Sequence, residues 1–242
     1  MSIVILSDIH SNLESFQAVL KDCSREEVDR FSFLGDIVGY GADPDPCIET
    51  LRGLTSHIVA GNHDWAVAGS TETDYFNPAA QTAVFWTAGT ISASNASFLT
   101  ALPLTISLPG MLLVHATPYQ PETWDYIYSL SEASRSFTCF DQQICFTGHS
   151  HTPISFVQDE EGTVSVLTGT TFTLHDSCRY LINVGSVGQP RDGDPRAAYG
   201  IYNPENASFV LKRVPYDIKR TQEKIRAAGL PTFLASRLAA GR

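Results

Sequence analysis

Short apolar runs alternate with helix-like patterns through the first half of the chain. Ser2–Ser7 reads as a buried strand, Phe31–Leu34 as a second and His57–Ala60 as a third. Between the first two, Ser11 and Glu14 have capping-box spacing, and Leu13, Phe16, Val19 and Leu20 recur at helical intervals. Asp45-Pro46 predicts an N-cap and first-turn proline for a short helix ending near Gly53. Asn77-Pro78 opens another helix through Ala83 and Trp86, and the apolar cluster at Phe98-Leu99 ends at Leu102-Pro103. Met111–Val114 and Ile144–Phe146 have the texture of strands.

Beyond His151 the pattern becomes β-rich. Strands are expected at Ile154–Gln158, Thr163–Leu167, Tyr180–Val184, Ala198–Tyr202 and Ser208–Arg213, separated by turn signals such as Glu161-Gly162 and Asn203-Pro204. A last helix, Asp217 to Ala228, is stopped by Gly229 and followed by Pro231. No repeat or linker interrupts the 242 residues, so one α/β domain over 1–242 with a helical C-terminal segment at about 215–242 is the expectation.

Composition narrows the function classes. No run approaches the ~18 apolar residues of a membrane helix, and Met1-Ser2 carries no basic leader, so a cytoplasmic protein without membrane partners is expected. Five scattered cysteines without a CxxC argue against a disulfide framework or a thiolate zinc site and fit buried free thiols. The net charge of −10 is uneven: residues from Lys212 onward carry +6, the preceding 211 carry −16. So acidic a body repels long nucleic acid. The basic tail reads as the solvated face of an amphipathic helix lying on it. A homo-oligomer is left open.

Five motifs close apolar runs: Asp8-Ile9-His10, Gly35-Asp36, Gly61-Asn62-His63-Asp64, His115, and Gly148-His149-Ser150-His151. Five of the seven histidines lie in them; His57 and His175 match none and read as ordinary. Carboxyl ends of strands are where open α/β sheets bind ligands. Imidazole with carboxylate and amide oxygen suits Mn²⁺, Fe²⁺, Zn²⁺, Co²⁺ or Ni²⁺. The D-x-H and H-x-H spacings put alternate side chains on one side of an extended segment. Two metals about 3.5–4 Å apart can acidify a bridging water and clamp both oxygens of an in-line displacement.

In order, SDIH, LGDIVGYG, GNHD, VHATP and GHSH resemble the calcineurin-like metallophosphoesterase superfamily, most of all its compact prokaryotic stand-alone phosphodiesterases. Asn183-Val184-Gly185-Ser186 and Gln189-Pro190-Arg191 extend the match. The resemblance implies a four-layer α/β/β/α sandwich of two mixed sheets flanked by helices. It implies one metal on Asp8, His10, Asp36 and His151, and a second on Asp36, Asn62, His115 and His149, with Mn²⁺ foremost and Fe, Zn, Co or Ni as alternatives. It also implies phosphoester hydrolysis by a metal-bridging hydroxide, with His63 assisting the leaving group and Asp64 orienting His63; a helix-cap role for Asp64 is the competing reading.

Asn12 is a candidate substrate contact or a support of the helix start. Arg191 suits phosphate, unless it pairs with Asp192 or Asp194. Tyr40 reads more readily as a surface loop residue than as an aromatic platform. A small phosphodiester is the first expectation for substrate. A phosphomonoester, a dinucleoside polyphosphate or a non-catalytic protein-binding scaffold are the alternatives; the full ligand set argues against the last.

Overall fold

The computed structural model describes residues 2–242. Its elements are β1 (Ile3–Leu6), α1 (Leu13–Cys23), β2 (Arg30–Phe33), α2 (Pro44–Leu54), α3 (Asn62–Val67), α4 (Pro78–Ala88) and α5 (Ala93–Thr100). Then follow β3 (Thr105–Leu108), β4 (Met111–Val114), α6 (Leu130–Phe137), β5 (Ile144–Thr147), β6 (Ile154–Gln158), β7 (Val164–Leu167) and β8 (Thr171–Thr173). The chain finishes with β9 (Arg179–Asn183), β10 (Ala197–Asn203), β11 (Ser208–Val214), α7 (Ile218–Ala227) and α8 (Thr232–Ser236).

Two mixed sheets result, in the orders β2-β1-β10-β11-β8 and β3-β4-β5-β9-β6-β7. The parallel pairs are β1 with β2 at one edge of the first sheet, and β4 with β5 with β9 at the centre of the second. The all-apolar strands explain the layering. In β1, Ile3 and Ile5 pack between the sheets with Ile144, Phe146 and Ile182, whereas Val4 and Leu6 pack outward with Phe16, Val19 and Ile48 of α1 and α2. In β5, Ile144 and Phe146 face the inter-sheet core and Cys145 faces α6 through Ala133 and Phe137. A strand covered on both faces reads as a continuous apolar run, and these alternating contacts make the four layers helix, sheet, sheet, helix. No helix among the described residues is long and apolar enough to cross a membrane.

The structure departs from expectation at several ends. The cap of α1 is Asn12, whose Oδ1 accepts the Ser15 N–H at 3.1 Å, not Ser11. Ser11 lies in the left-handed region (φ 53°), and Glu14 pairs with Lys224 of α7 at 2.5 Å. Helix α2 begins two residues early, at Asp43-Pro44, leaving the Asp45 carboxylate to accept from Ser92 N–H and Asn95 Nδ2. The 57–60 run makes only a parallel bridge between Ile58 and Phe33, because the Ala60 N–H turns away to the Pro103 carbonyl at 2.7 Å. Helix α6 follows a Ser129/Glu132 capping box, a signal present in the sequence but not used.

The basic tail lies on the acidic body as expected: α7 buries Thr221 and Ile225, and Lys224 also meets Asp43 at 2.8 Å. After it, Leu234, Ala235 and Leu238 pack with Tyr40, Ala80 and Ala83.

Phe146 has no exposed surface and meets Tyr202 and Phe209 across the sheets, at ring separations of 5.7 and 6.0 Å. Phe146→Ala should therefore cost about 3–5 kcal/mol, measured as a shifted denaturant midpoint. A loss within ~0.5 kcal/mol, the range of surface changes, would contradict this account of the inter-sheet core.

Candidate metal centre

Four of the five motifs follow the carboxyl ends of β1, β2, β4 and β5, and Gly61–Asp64 follows the 57–60 run bridged to β2. Asp8, His10, Asp36, His149 and His151 all take left-handed backbone, with φ between 49° and 65°. For residues other than glycine this conformation costs roughly 1–2 kcal/mol each. Their surroundings impose it: Asp8 N–H bonds Gly35 C=O, His10 N–H bonds Asp36 C=O, and Gly148 N–H bonds His115 C=O, at 2.8–3.0 Å. The motif glycines permit the close approach. A Cβ on Gly61 would overlap the Asp36 carboxylate, and one on Gly148 would overlap Ser7 Oγ and the Asp8 carboxylate.

Two groups of ligand atoms result, Asp8, His10, Asp36 and His151 in one and Asp36, His115 and His149 in the other, all buried and within 4.8 Å of one another inside each group. Asp36 Oδ2 lies 3.4 Å from both His10 Nε2 and His115 Nε2. His10 Nε2 and His151 Nε2 face each other at 3.0 Å, and His115 Nε2 and His149 Nδ1 at 3.1 Å.

The other nitrogen of each ring meets a backbone carbonyl: Val38 for His10, Leu34 for His115, Gln189 for His151 and Trp124 for His149, at 2.6–2.9 Å. A carbonyl only accepts, so these nitrogens carry the protons and the facing nitrogens present lone pairs. Paired lone pairs 3 Å apart in a buried site call for a shared cation. Two further buried acceptors, Asp8 Oδ1 and Asn62 Oδ1, have no hydrogen-bond partner. The donor set of imidazole, carboxylate and amide thus fits two divalent transition metals.

Electrostatics agrees. Burial, reinforced by the neighbouring His115, pushes His149 down to about 3, and burial also holds His151 and His63 well below the ordinary imidazole range. Metals take imidazole in that neutral form. Burial opposes charge on Asp36 too, but His115 and His63 beside it outweigh burial and hold its carboxyl low. His115 differs: burial would lower it, yet Asp36 prevails and raises it to about 9, so this ring must release a proton when a metal binds.

The remaining predicted residues separate. His63 lines a cleft of about 180 Å³ with Asp36, Asn62, His149, His151 and Arg191, and its Nδ1 is buried without a partner. Asp64 lies behind the site. Its carboxylate accepts N–H bonds from Asp36, Ile37, Val38 and Gly61 at 2.8–3.2 Å, holding the loop that carries Asp36. Burial and the Asp36 carboxylate push its pKa up to about 7 against those donors. Asn12 lies under the C-terminal segment, its amide engaged by Gly188 C=O, Ser15 N–H and Thr221 Oγ1.

Arg191 reaches the cleft free of carboxylates, because Asp192 pairs with Arg213 and Asp194 with Arg196. Its guanidinium bonds Gln189 Oε1 at 2.8 and 3.2 Å and sits 5.5 Å over the Tyr40 ring. Tyr40 is buried rather than a surface loop residue, with ring centroids 4.6 Å from His10 and 4.4 Å from His63. Sequence reasoning missed Trp124, whose carbonyl orients His149; its signal was the aromatic-rich stretch around it.

The chain belongs to the calcineurin-like phosphoesterase superfamily, whose domain matches residues 1–207. Among solved structures, a metallophosphoesterase from Sphaerobacter thermophilus is 42% identical with a TM-score of 0.89, covering 100% of this chain and 99% of its own. An uncharacterized protein of Methanocaldococcus jannaschii is 43% identical over 244 residues, 99% of this chain and 98% of that one. A hypothetical protein from Pyrococcus horikoshii shares the fold at 17% identity, TM-score 0.80, with 100% and 98% covered.

Removing the Asp64 carboxylate leaves four buried N–H groups unpaired. Asp64→Ala should destabilise the protein by at least about 1–3 kcal/mol, read by equilibrium denaturation. Unaltered stability would show that water replaces the carboxylate without cost.

Proposed function

We propose that this chain hydrolyses a small phosphoester, with a phosphodiester the preferred class, using two divalent ions of which Mn²⁺ is the first candidate. The observation that carries the reading is the Asp36 carboxylate, which serves both groups of metal-ligating atoms from one oxygen. Bound there, two ions supply an acidified water as nucleophile and neutralise the charge of the phosphate.

The chain's own residues do the rest. Asp8, His10, Asp36 and His151 would hold one ion, and Asp36, Asn62, His115 and His149 the other. Carbonyl-anchored rings keep the ligand nitrogens fixed in direction. His63 lines the cleft, and the negative charge of a bound ester would offset the burial that keeps its ring neutral, so that it could carry the proton that goes to the departing oxygen. Arg191, kept from its neighbouring acids, steadies a phosphate oxygen through its planar fork.

Long nucleic acid is disfavoured as substrate. The body before Lys212 carries −16, and Arg191 is the only Lys or Arg lining the cleft among the described residues. Lys224, Lys212 and Arg213, which could have extended a basic track, are paired with acids. Three buried free thiols, Cys23, Cys47 and Cys145, support a reducing compartment and so a cytoplasmic location.

Divalent metal should stabilise the fold by RT ln(1 + [L]/Kd), about 2.7 kcal/mol at a hundredfold excess over Kd. Chelation should abolish turnover of bis(p-nitrophenyl) phosphate, and Mn²⁺ should restore it. In Asp36→Ala both the thermal shift and the activity should disappear; a variant that keeps either one overturns the shared-carboxylate assignment.

His63→Ala should keep its metal-induced thermal shift yet lose roughly 10²–10⁴ in rate. The loss should be larger for an alkyl than for a nitrophenyl leaving group, which departs without protonation. Equal losses for both leaving groups would move His63 from proton transfer to charge stabilisation.

A further inference from the structure

Two ladders of aromatic rings climb out of the site, each rooted on one of its histidines. The first runs from His63 to Phe76, edge to face at 4.8 Å, and on to Tyr75, stacked on Phe76 at 4.7 Å and 30°. The second runs from His149 to Tyr126, stacked at 4.2 Å and 15°, and on to Tyr128 at 5.3 Å and 14°. The ladders come from separate segments, one between α3 and α4 and the other between β4 and α6. Tyr75 and Tyr126 line the same cleft as Arg191 and the metal-ligating residues.

The outer rings are not there to cover the histidines. Phe76 and Tyr126 already do so, while Tyr75 is 53% exposed, Tyr126 44% and Tyr128 56%. These three are clustered among only seven exposed large hydrophobic side chains in the described chain, and such a cluster marks a binding surface. Tyrosine suits that duty, with a flat apolar face beside a wet hydroxyl. A second hollow of about 390 Å³, lined by Tyr119, Tyr128 and Arg135, shares Tyr126 with the cleft. Tyr126 is stacked between His149 and Tyr128, so a substituent reaching beyond the phosphate meets the exposed Tyr75 ring and the rim of Tyr126.

We propose that Tyr75, with the rim of Tyr126 beside it, forms an aromatic subsite for a planar ring carried on one ester arm of the substrate. The chain accordingly prefers aryl- or nucleoside-bearing phosphoesters to alkyl ones. This rests on the reading that the cleft binds a phosphoester. Stacking a base on an aromatic side chain contributes about 1–3 kcal/mol, which sets the preference at about tenfold or more.

Phosphonates test it without turnover, since their C–P bond survives. Methyl-, cyclohexyl- and phenylphosphonate would be titrated calorimetrically against the Mn²⁺-loaded protein. Phenylphosphonate should bind at least about tenfold more tightly than methylphosphonate, and more tightly than cyclohexylphosphonate, which is as large but not planar. Tyr75→Leu and Tyr126→Leu should each reduce the phenyl-to-methyl ratio several-fold, and Tyr126→Phe should restore it.

Equal binding of the phenyl and cyclohexyl ligands, or a ratio untouched in Tyr75→Leu, overturns the subsite. Tyr75 meets Asn62 through its hydroxyl, so Tyr75→Phe, which keeps the ring and removes that contact, is the control: it should keep the ratio that Tyr75→Leu reduces. Binding of no phosphonate at all also overturns it. A phenyl preference in a protein that hydrolyses no diester supports the subsite and removes the diesterase reading alone.

Discussion

The position of one carboxylate organises the site. Asp36 Oδ2 stands 3.4 Å from two histidine nitrogens in different ligand groups, while Oδ1 accepts the His63 N–H at 2.9 Å. Its own N–H is held by Asp64 at 2.8 Å, and its carbonyl takes the His10 N–H at 3.0 Å. Every polar group of the residue is thus committed, and its left-handed backbone (φ 59°) persists because these bonds together over-determine it. A shift in Asp36 would displace His10, His63 and the Asp64-bound loop at once.

The strain is concentrated where function needs convergence. The D-x-H and H-x-H spacings would put each pair on one side of an extended segment, but Asp8, His10, His149 and His151 lie on left-handed backbone instead, so turns rather than strand alternation aim them. The left-handed turns after Leu6 and Thr147 re-aim them into the crevice between the sheets, and the rigid inter-sheet core beneath, with Ile5, Ile144, Phe146 and Ile182 essentially inaccessible, supplies the stiffness. Backbone carbonyls then fix each ring, so ligand direction depends on loops that are themselves tied to strand ends.

The C-terminal segment beyond the family domain is part of this framework. Thr221 bonds the Asn12 amide at 3.0 Å, Lys224 joins Glu14 to Asp43, and Leu234 and Leu238 pack with Tyr40. Tyr40 in turn lies against His10, His63 and Arg191. The uneven charge of the sequence thus becomes a set of contacts that press the tail onto the loops around the metal centre.

Much of this was legible in the residues. Continuous apolar runs such as Ile3–Leu6 and Ile144–Phe146 specify doubly buried strands, because only burial on both faces tolerates them. The five polar motifs stand out because charged and imidazole groups seldom follow such runs without a task, and their order carried the family resemblance. What depended on tertiary structure was everything set by partners distant in sequence. Asp64 holds backbone 26–28 residues away, so its carboxylate is turned from the His63 ring by contacts no local spacing encodes. Asn12 became a cap under a helix more than 200 residues later, and Tyr40 was drawn inward by that same segment. The aromatic ladders have no periodicity at all: Tyr75, Phe76, Tyr126 and Tyr128 sit in loops, and a loop's side chains acquire direction only from the surface on which the chain closes.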